Sequence, residues 1–278
     1  MRRFSCFISS FGCNIKLVVN GSQLFYQALL TDRFWQEFVP GLSFDNSSQS
    51  NDIWTINEAE ELKYLEAQRT IEAALVDIKK IIVIIESAFE VLRQQEHKYT
   101  MHGAVIEKSG CAVALIGNVS GIGKTTLASF AADKGWSWLI DEKFTIYKSK
   151  MIGGTKNILN DDKTRASAGT NSPKPGEPYR LRLICQPVVT GGLSVSRFDM
   201  TYEKSLWTLY GEVTRDIRQV DGVIKKDRLI LQSLDTEELA RSRLNNIENL
   251  AKDTPVVFVS GPKYLLLKEI ESILWQSQ

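Results

Sequence analysis

The sequence predicts an α/β chain in two parts: a smaller α+β unit over residues 1–97 and a larger α/β domain with a mixed sheet over residues 98–278. Three observations carry this. Residues 111–134 read as an apolar strand, a glycine-rich turn and a helix in immediate succession. The first 30 residues are rich in strand signals, with Gly12 and Asn20-Gly21 as turns. Ile81, Ile85, Phe89 and Leu92 recur at helical spacing, which predicts a helix over 77–95. A length of 278 residues suits one large domain or two ordinary ones.

Composition narrows the function classes. Hydrophobic residues at 43% and charged residues at 24% describe a globular chain. With 34 Lys+Arg against 33 Asp+Glu the formal charge is +1, so no global basic field draws the chain to nucleic acid or to anionic lipid. Cys6, Cys13, Cys111 and Cys185 are scattered without a C-x-x-C pair. That argues against a disulfide framework or a structural zinc site, and a cytoplasmic location is expected. The Arg2-Arg3 start is broken by Ser9, Gly12, Asn14 and Lys16, and reads as strand rather than targeting segment. The run Ile81–Ile85 falls far short of the ~20 apolar residues of a membrane helix.

Residues 1–30 are expected as short strands, residues 43–52 as a polar loop, and the stretch before the 77–95 helix as either helix or strand. Ala104-Val105-Ile106 and Cys111–Ile116 flank Ser109-Gly110, which predicts a hairpin with a two-residue turn. Lys124–Lys134 follows as a helix with Leu127, Phe130 and Ala131 on one face, stopped by Gly135. Trp136–Ile140 is an apolar strand ending on Asp141-Glu142, and its tryptophans Trp136 and Trp138 read as core residues. Residues 149–179 hold many glycines, prolines and serines and are expected to form a mobile acceptor-binding lid. Strands are expected over 181–200, helices over 203–218 and 236–251, a strand at Pro255–Ser260 and a closing helix at Tyr264–Trp275.

The most informative segment is Gly117-Asn118-Val119-Ser120-Gly121-Ile122-Gly123-Lys124-Thr125-Thr126. It approaches the phosphate-binding pattern G-x-x-x-x-G-K-[ST], with Asn118 where the first glycine is expected and Gly117 one step early. Glycines let several backbone N–H groups converge on one phosphate, and the following helix adds its positive dipole end. Asn118, Ser120, Gly121, Ile122, Gly123, Lys124, Thr125 and Thr126 are the candidate nucleotide-binding residues. Lys124 reaches the β- and γ-phosphates, and the Thr125 hydroxyl is a Mg²⁺ ligand.

Of the two histidines, His97 and His102, the second opens the hairpin that feeds this loop. The ordered string His102-Gly103-Ala104, hairpin, Ser120-Gly121-Ile122-Gly123-Lys124-Thr125-Thr126-Leu127-Ala128 and strand ending in Asp141-Glu142 resembles the catalytic domain of the HPr kinase/phosphorylase family. The resemblance is specific over residues 101–148. It implies a P-loop kinase core related to phosphoenolpyruvate carboxykinase, with ATP and Mg²⁺ as cofactors.

In the roles that the resemblance implies, Asp141 accepts the proton of the acceptor hydroxyl, His102 tunes that carboxylate, and Lys124 holds phosphate. Thr125 and Glu142 are the metal-side residues. Glu142 stands where the family has a second aspartate, and one added methylene moves a ligand by about 1.5 Å, so the division of roles between 141 and 142 stays open. The glycine-rich signature that follows the acidic pair in the family is missing, and residues 1–97 do not look like its N-terminal domain. The chain is thus similar to divergent kinases that tailor peptides or small metabolites.

An arginine commonly neutralises a transferring phosphoryl group. Arg180, Arg182, Arg197, Arg215 and Arg218 are candidates, and Arg215 is preferred because it shares a helical face with Arg218 if the helix extends that far. The expected function is an ATP- and Mg²⁺-dependent kinase acting on a hydroxyl of a peptide, a protein serine or a small metabolite, with homo-oligomers compatible with the family. The alternative is a catalytically silent nucleotide-binding regulator of the same fold. A transport ATPase or a GTPase is disfavoured: no L-S-G-G-Q string and no N-K-x-D guanine reader occurs.

Overall fold

The computed structural model describes residues 1–44, 49–117, 121–155, 157–159, 165–167, 178–218 and 233–276. By its contacts the chain divides into two units. One is Met1–Arg93 with Asp216–Leu234, and the other is Gln94–Arg215 with Asp235–Gln278. The expected boundary at 97/98 lies just past the first of these breaks.

The first unit holds β1 (Arg2–Ser10), β2 (Cys13–Gly21), α1 (Gln23–Thr31), α2 (Phe34–Phe38), β3 (Leu42–Phe44), β4 (Ile53–Glu58), β5 (Lys63–Leu65), β6 (Thr70–Ala73) and most of α3 (Ile78–Gln95). Its six strands form a mixed sheet in the order β3-β1-β2-β4-β6-β5. The helix expected over 77–95 is α3, whose Ile81, Ile85 and Phe89 enter a core with Ile8, Ile15, Leu17 and Ile56 of the sheet. Residues 23–30, expected as strand, belong to the helix α1 instead. The Ser22 hydroxyl accepts from the Phe25 N–H at 3.1 Å and caps α1, and Phe25 and Leu29, one turn apart, are buried. The stretch before α3, open between helix and strand, forms β5 and β6.

A charged cluster lies inside this core. The Arg93 guanidinium, fully buried, donates to Glu86 at 2.6 Å, to Glu90 at 2.8 Å and to the Ser10 hydroxyl at 2.7 Å. Burial alone lowers its pKa, but the two carboxylates outweigh that and hold it above the ordinary arginine range.

The second unit holds β7 (Lys98–Lys108), β8 (Cys111–Ile116), α4 (Lys124–Asp133), β9 (Ser137–Ile140), β10 (Lys143–Tyr147), β11 (Lys150–Gly154), β12 (Asn157–Leu159), β13 (Arg165–Ser167), β14 (Tyr179–Val189), β15 (Ser196–Asp199), α5 (Tyr202–Thr214), α6 (Glu237–Asp253), β16 (Val256–Gly261) and α7 (Lys263–Gln276). Its main sheet runs β11-β10-β7-β8-β14-β16-β15, with β9 also paired to β7. β8, β14 and β16 are parallel at its centre, and β7, β10 and β15 are antiparallel to their neighbours.

Alternation along β8 builds both faces. Ala112, Ala114 and Ile116 face Leu209 and Val213 of α5 with Ile247 and Leu250 of α6. Val113 and Leu115 face Leu127 and Ala131 of α4 with Leu266 and Ile270 of α7. A strand covered by helices on both sides has no polar face, which is why 111–116 reads as an unbroken apolar run. Trp136 is buried and Trp138 half-buried against the same α4/α7 layer. No helix among the described residues is long and apolar enough to cross a membrane.

Candidate active site

The site is assembled where β8 ends. The β7–β8 hairpin turns on Ser109 and Gly110, both left-handed at φ 54° and 81°, as a two-residue primed turn requires. It delivers β8 to Gly117, whose φ is 148° and where a Cβ would lie 2.3 Å from Ile122 Cδ1. Asn118, Val119 and Ser120 lie outside the described residues, so the places expected for Asn118 and Ser120 are not described. Beyond them Gly121 and Gly123 are left-handed, at φ 86° and 98°. Gly123 also packs so closely on β14 that a Cβ would sit 2.4 Å from Val189 Cγ2. The Val189 N–H donates to the Ile122 carbonyl at 2.9 Å, fastening the loop to the end of β14.

Gly123 is the N-cap of α4 and supplies no side chain to the first-turn N–H groups. Such a helix start is a ready anion site. Lys124 Nζ donates to the Gly117 carbonyl at 2.8 Å, lying back across the loop. Burial lowers the Lys124 pKa. The Glu212 carboxylate opposes the shift, Arg215 adds to it, and Asp141 opposes it.

The Thr125 hydroxyl donates to Asp141, 3.2 Å from Oδ1 and 3.4 Å from Oδ2. Asp141 is 2% exposed, and its carbonyl accepts from the Thr155 hydroxyl at 2.5 Å and from the Lys143 N–H at 3.1 Å. Glu142 turns the chain with a φ of 73°, and its carbonyl accepts from the Gly103 N–H at 2.9 Å. That bond anchors the acidic turn on β7, where His102 pairs with Lys143. Gly103 is required sterically: a Cβ there would lie 2.2 Å from the Leu115 carbonyl oxygen.

His102, Gly121, Ile122, Gly123, Lys124, Thr125, Thr126, Asp141 and Glu142 together line one open cleft of ≈ 300 Å³. Every expected site residue that is described lines it except Arg215, which follows the last turn of α5 and acts on Lys124 through its charge. The helix on which Arg215 and Arg218 were expected to share a face ends at Thr214, and both arginines lie in the turn that follows it. Arg197 is committed elsewhere, to Asp199 at 2.6 Å and Glu269 at 3.2 Å. His97 has a structural partner in the Ser242 hydroxyl at 3.1 Å. Of the expected lid, residues 149–155, 157–159, 165–167 and 178–179 are described, and they form β11, the antiparallel β12–β13 pair and the start of β14; the rest lies outside the described residues. Its described start is tied under the acidic pair by Thr155.

Sequence reasoning passed over Glu212. It is 1% exposed on α5, and its charge is the first of those acting on Lys124. The signal was periodic: Glu212 falls three residues after buried Leu209, on the helix face that turns inward.

Oxygen donors from Thr125, Asp141 and Glu142 are of the type that Mg²⁺ takes. Among the described residues no group of three or more His, Cys, Asp or Glu side chains forms a free-standing metal site. This donor set fits an ion held mainly by phosphate and water with one or two protein ligands.

No protein-family model and no curated protein matches the chain. Among solved structures, the Hpr(Ser) kinase/phosphatase from Coxiella burnetii aligns over 64% of this chain and 95% of its own, at 11% identity and a TM-score of 0.32. A likeness at that level is distant and carries no argument about activity.

Proposed function

We propose that the chain is an ATP- and Mg²⁺-dependent kinase whose second unit has a core of the HPr kinase/phosphoenolpyruvate carboxykinase type. It transfers the γ-phosphate to a hydroxyl of a peptide, a protein serine or a small metabolite. The observation that carries the reading is the convergence of the Gly121–Thr126 helix start, His102, Asp141 and Glu142 on one cleft.

Phosphoryl transfer asks a protein mainly for positioning and charge neutralisation. The first-turn N–H groups of α4 hold the phosphates, and Lys124 leaves the Gly117 carbonyl to reach them. Thr125 and Glu142 would hold a Mg²⁺ ion, which would supply positive charge against the phosphates. Thr125 points its hydroxyl proton at Asp141 in a hydrogen bond and so presents its oxygen lone pairs to the metal side. The acidic pair takes the proton of the attacking hydroxyl as its oxygen bonds to the γ-phosphorus and the bond from that phosphorus to the β–γ bridging oxygen breaks, releasing ADP; His102 on β7 orients that pair. Arg215 adds positive charge beside Lys124, and buried Glu212 balances it.

One observation favours the silent regulator as a second reading. Asp141 is nearly inaccessible and engaged by Thr125, and its neighbour is a glutamate on a left-handed turn. Such a pair binds nucleotide without accepting a proton from substrate.

The test is purified protein with Mg²⁺ and γ-labelled ATP against serine-containing peptides and small alcohols, with GTP as competitor. Transfer that disappears in Lys124→Ala is expected. Transfer unchanged by Lys124→Ala sinks the assignment of the cleft, and tight nucleotide binding without transfer to any acceptor supports the regulator.

A further inference from the structure

Away from the cleft, α5 and α6 flank an open groove of ≈ 400 Å³, lined by Glu203, Leu206, Trp207, Tyr210, Leu244 and Glu248. Its composition is unusual for a helix surface. Trp207 is 74% exposed and Leu244 38%, although both lie on well-packed helices. Residues 203, 206, 207 and 210 fall on one face of α5, and 244 and 248 lie one turn apart on α6. The floor is therefore aromatic and aliphatic, with the Glu248 carboxylate on one wall and, on the other, the Glu203 carboxylate, which hydrogen-bonds the Thr201 side chain and its own backbone at the start of α5 and is held below the usual carboxylate range.

Among the described residues no cation lines the cavity. The basic side chains nearest in sequence are committed elsewhere: Lys204 lies over the Phe198 ring, 4.5 Å from its centroid, and Lys252 over Tyr202 at 6.0 Å. Arg241 pairs with Glu237 at 2.6 Å. Arg243 is buried behind the floor, 5.1 Å from the Tyr210 centroid, where it donates to the Tyr210 hydroxyl at 3.4 Å and to Asp235 at 2.6 Å. That contact holds the Tyr210 ring in place before anything binds, which lowers the ordering cost of binding.

We infer that this groove binds an arginine or lysine side chain of a peptide partner, set between apolar neighbours. The chemistry matches at each point. The aliphatic stem of such a side chain covers Leu206 and Leu244. Its cationic head meets the face of Trp207 and the two carboxylates. The cavity falls in the range of about 300–1,000 Å³ that takes an organic ligand, so it is too large for a lone metal ion. Charge complementarity chooses the occupant: an uncharged apolar segment would leave Glu203 and Glu248 desolvated beside it, and an acidic one would be repelled.

The experiment uses the full chain without nucleotide, so its outcome is independent of the kinase assignment. Fluorescence anisotropy follows a short labelled peptide alternating leucine and arginine, its glutamate counterpart, and phenethylammonium as unlabelled competitor. Saturable binding of the basic peptide alone is expected. It should weaken about tenfold when Glu203→Gln and Glu248→Gln are combined and about thirtyfold in Trp207→Ala. Thermal melting checks that the variants fold, and Leu244→Gln serves as a second probe of the floor. Equal binding of the acidic peptide, or affinity unmoved by these substitutions, overturns the proposal. So does full occupancy by the small amine with no peptide binding. Self-association in sedimentation that Trp207→Ala abolishes would instead make a second copy of the chain the occupant.

Discussion

The Thr125 hydroxyl and the Asp141 carboxylate, 3.2 Å apart, join the first turn of α4 to the end of β9. A hydroxyl that donates to a buried carboxylate has its lone pairs free for a cation, so under the proposed function this bond would tie phosphate binding to metal binding. Thr125→Val and Asp141→Asn should each weaken Mg²⁺ affinity at fixed nucleotide by about ten- to a hundredfold, as loss of a supporting partner does elsewhere. Thr125→Ser should stay close to wild type. Calorimetric Mg²⁺ titration reads this. If Asp141→Asn abolishes transfer with Mg²⁺ affinity intact, Asp141 belongs to the acceptor side and Glu142 to the metal.

Lys124 gives two pH effects of opposite sign. Burial sets its pKa below the ordinary lysine value, which is about 10.4. Nucleotide affinity should therefore decline with rising pH earlier than a normal lysine allows. In the window between the lowered folded value and the unfolded one, the unfolded chain binds more protons, so the stability penalty of burying Lys124 shrinks as pH rises. Denaturant melts of wild type and Lys124→Met across that window should diverge in favour of wild type, while calorimetry shows binding moving the other way.

Two glycines make a matched pair. At Gly103 a Cβ would collide with the Leu115 carbonyl oxygen, and Gly103→Ala should cost about 1–3 kcal/mol, the range for overpacking. Gly211 lies within α5 with nothing inside 4 Å of its virtual Cβ, so Gly211→Ala should stabilise by up to about 1 kcal/mol through helix propensity. Urea unfolding separates the two. A stable Gly103→Ala protein would mean that β7 and β8 lie farther apart than described.

In the first unit, Arg93 holds Glu86 and Glu90 in the core. Arg93→Ala should destabilise by about 3–5 kcal/mol, because two buried carboxylates lose their counter-charge. Replacing all three residues by leucine or methionine should recover most of that loss. Equilibrium denaturation of the single and triple variants decides. Equal losses in both would show that packing, not charge, holds α3 to the sheet.

Where local chemistry sets the backbone, the sequence was enough. Ile81, Ile85 and Phe89 mark α3. Ser109-Gly110 marks the hairpin. The glycines at 121 and 123 sit where left-handed backbone is needed. The Gly-Lys-Thr segment and Asp141-Glu142 could be read because their spacing is local and their neighbours are strongly apolar. The helix at 23–31 was missed although Ser22 caps it, since Leu24, Phe25, Tyr26, Ala28, Leu29 and Leu30 are apolar all round with no clean helical period, and they follow a long strand pattern.

Other features depend on residues far apart in the chain. Glycine at 103 is explained by Leu115 across the hairpin, and Gly123 by Val189 on β14. The composition around Arg93 gives no hint that Ser10, 83 residues away, shares its guanidinium. Glu212 acts on Lys124 because the layer of α5 against the sheet carries the helix end toward the glycine-rich turn before α4, and Arg215 follows it while the helix stops short of Arg218. Periodicity records which face a residue turns inward. The charge it meets inside depends on how separate elements pack, and one-dimensional spacing carries no information on that.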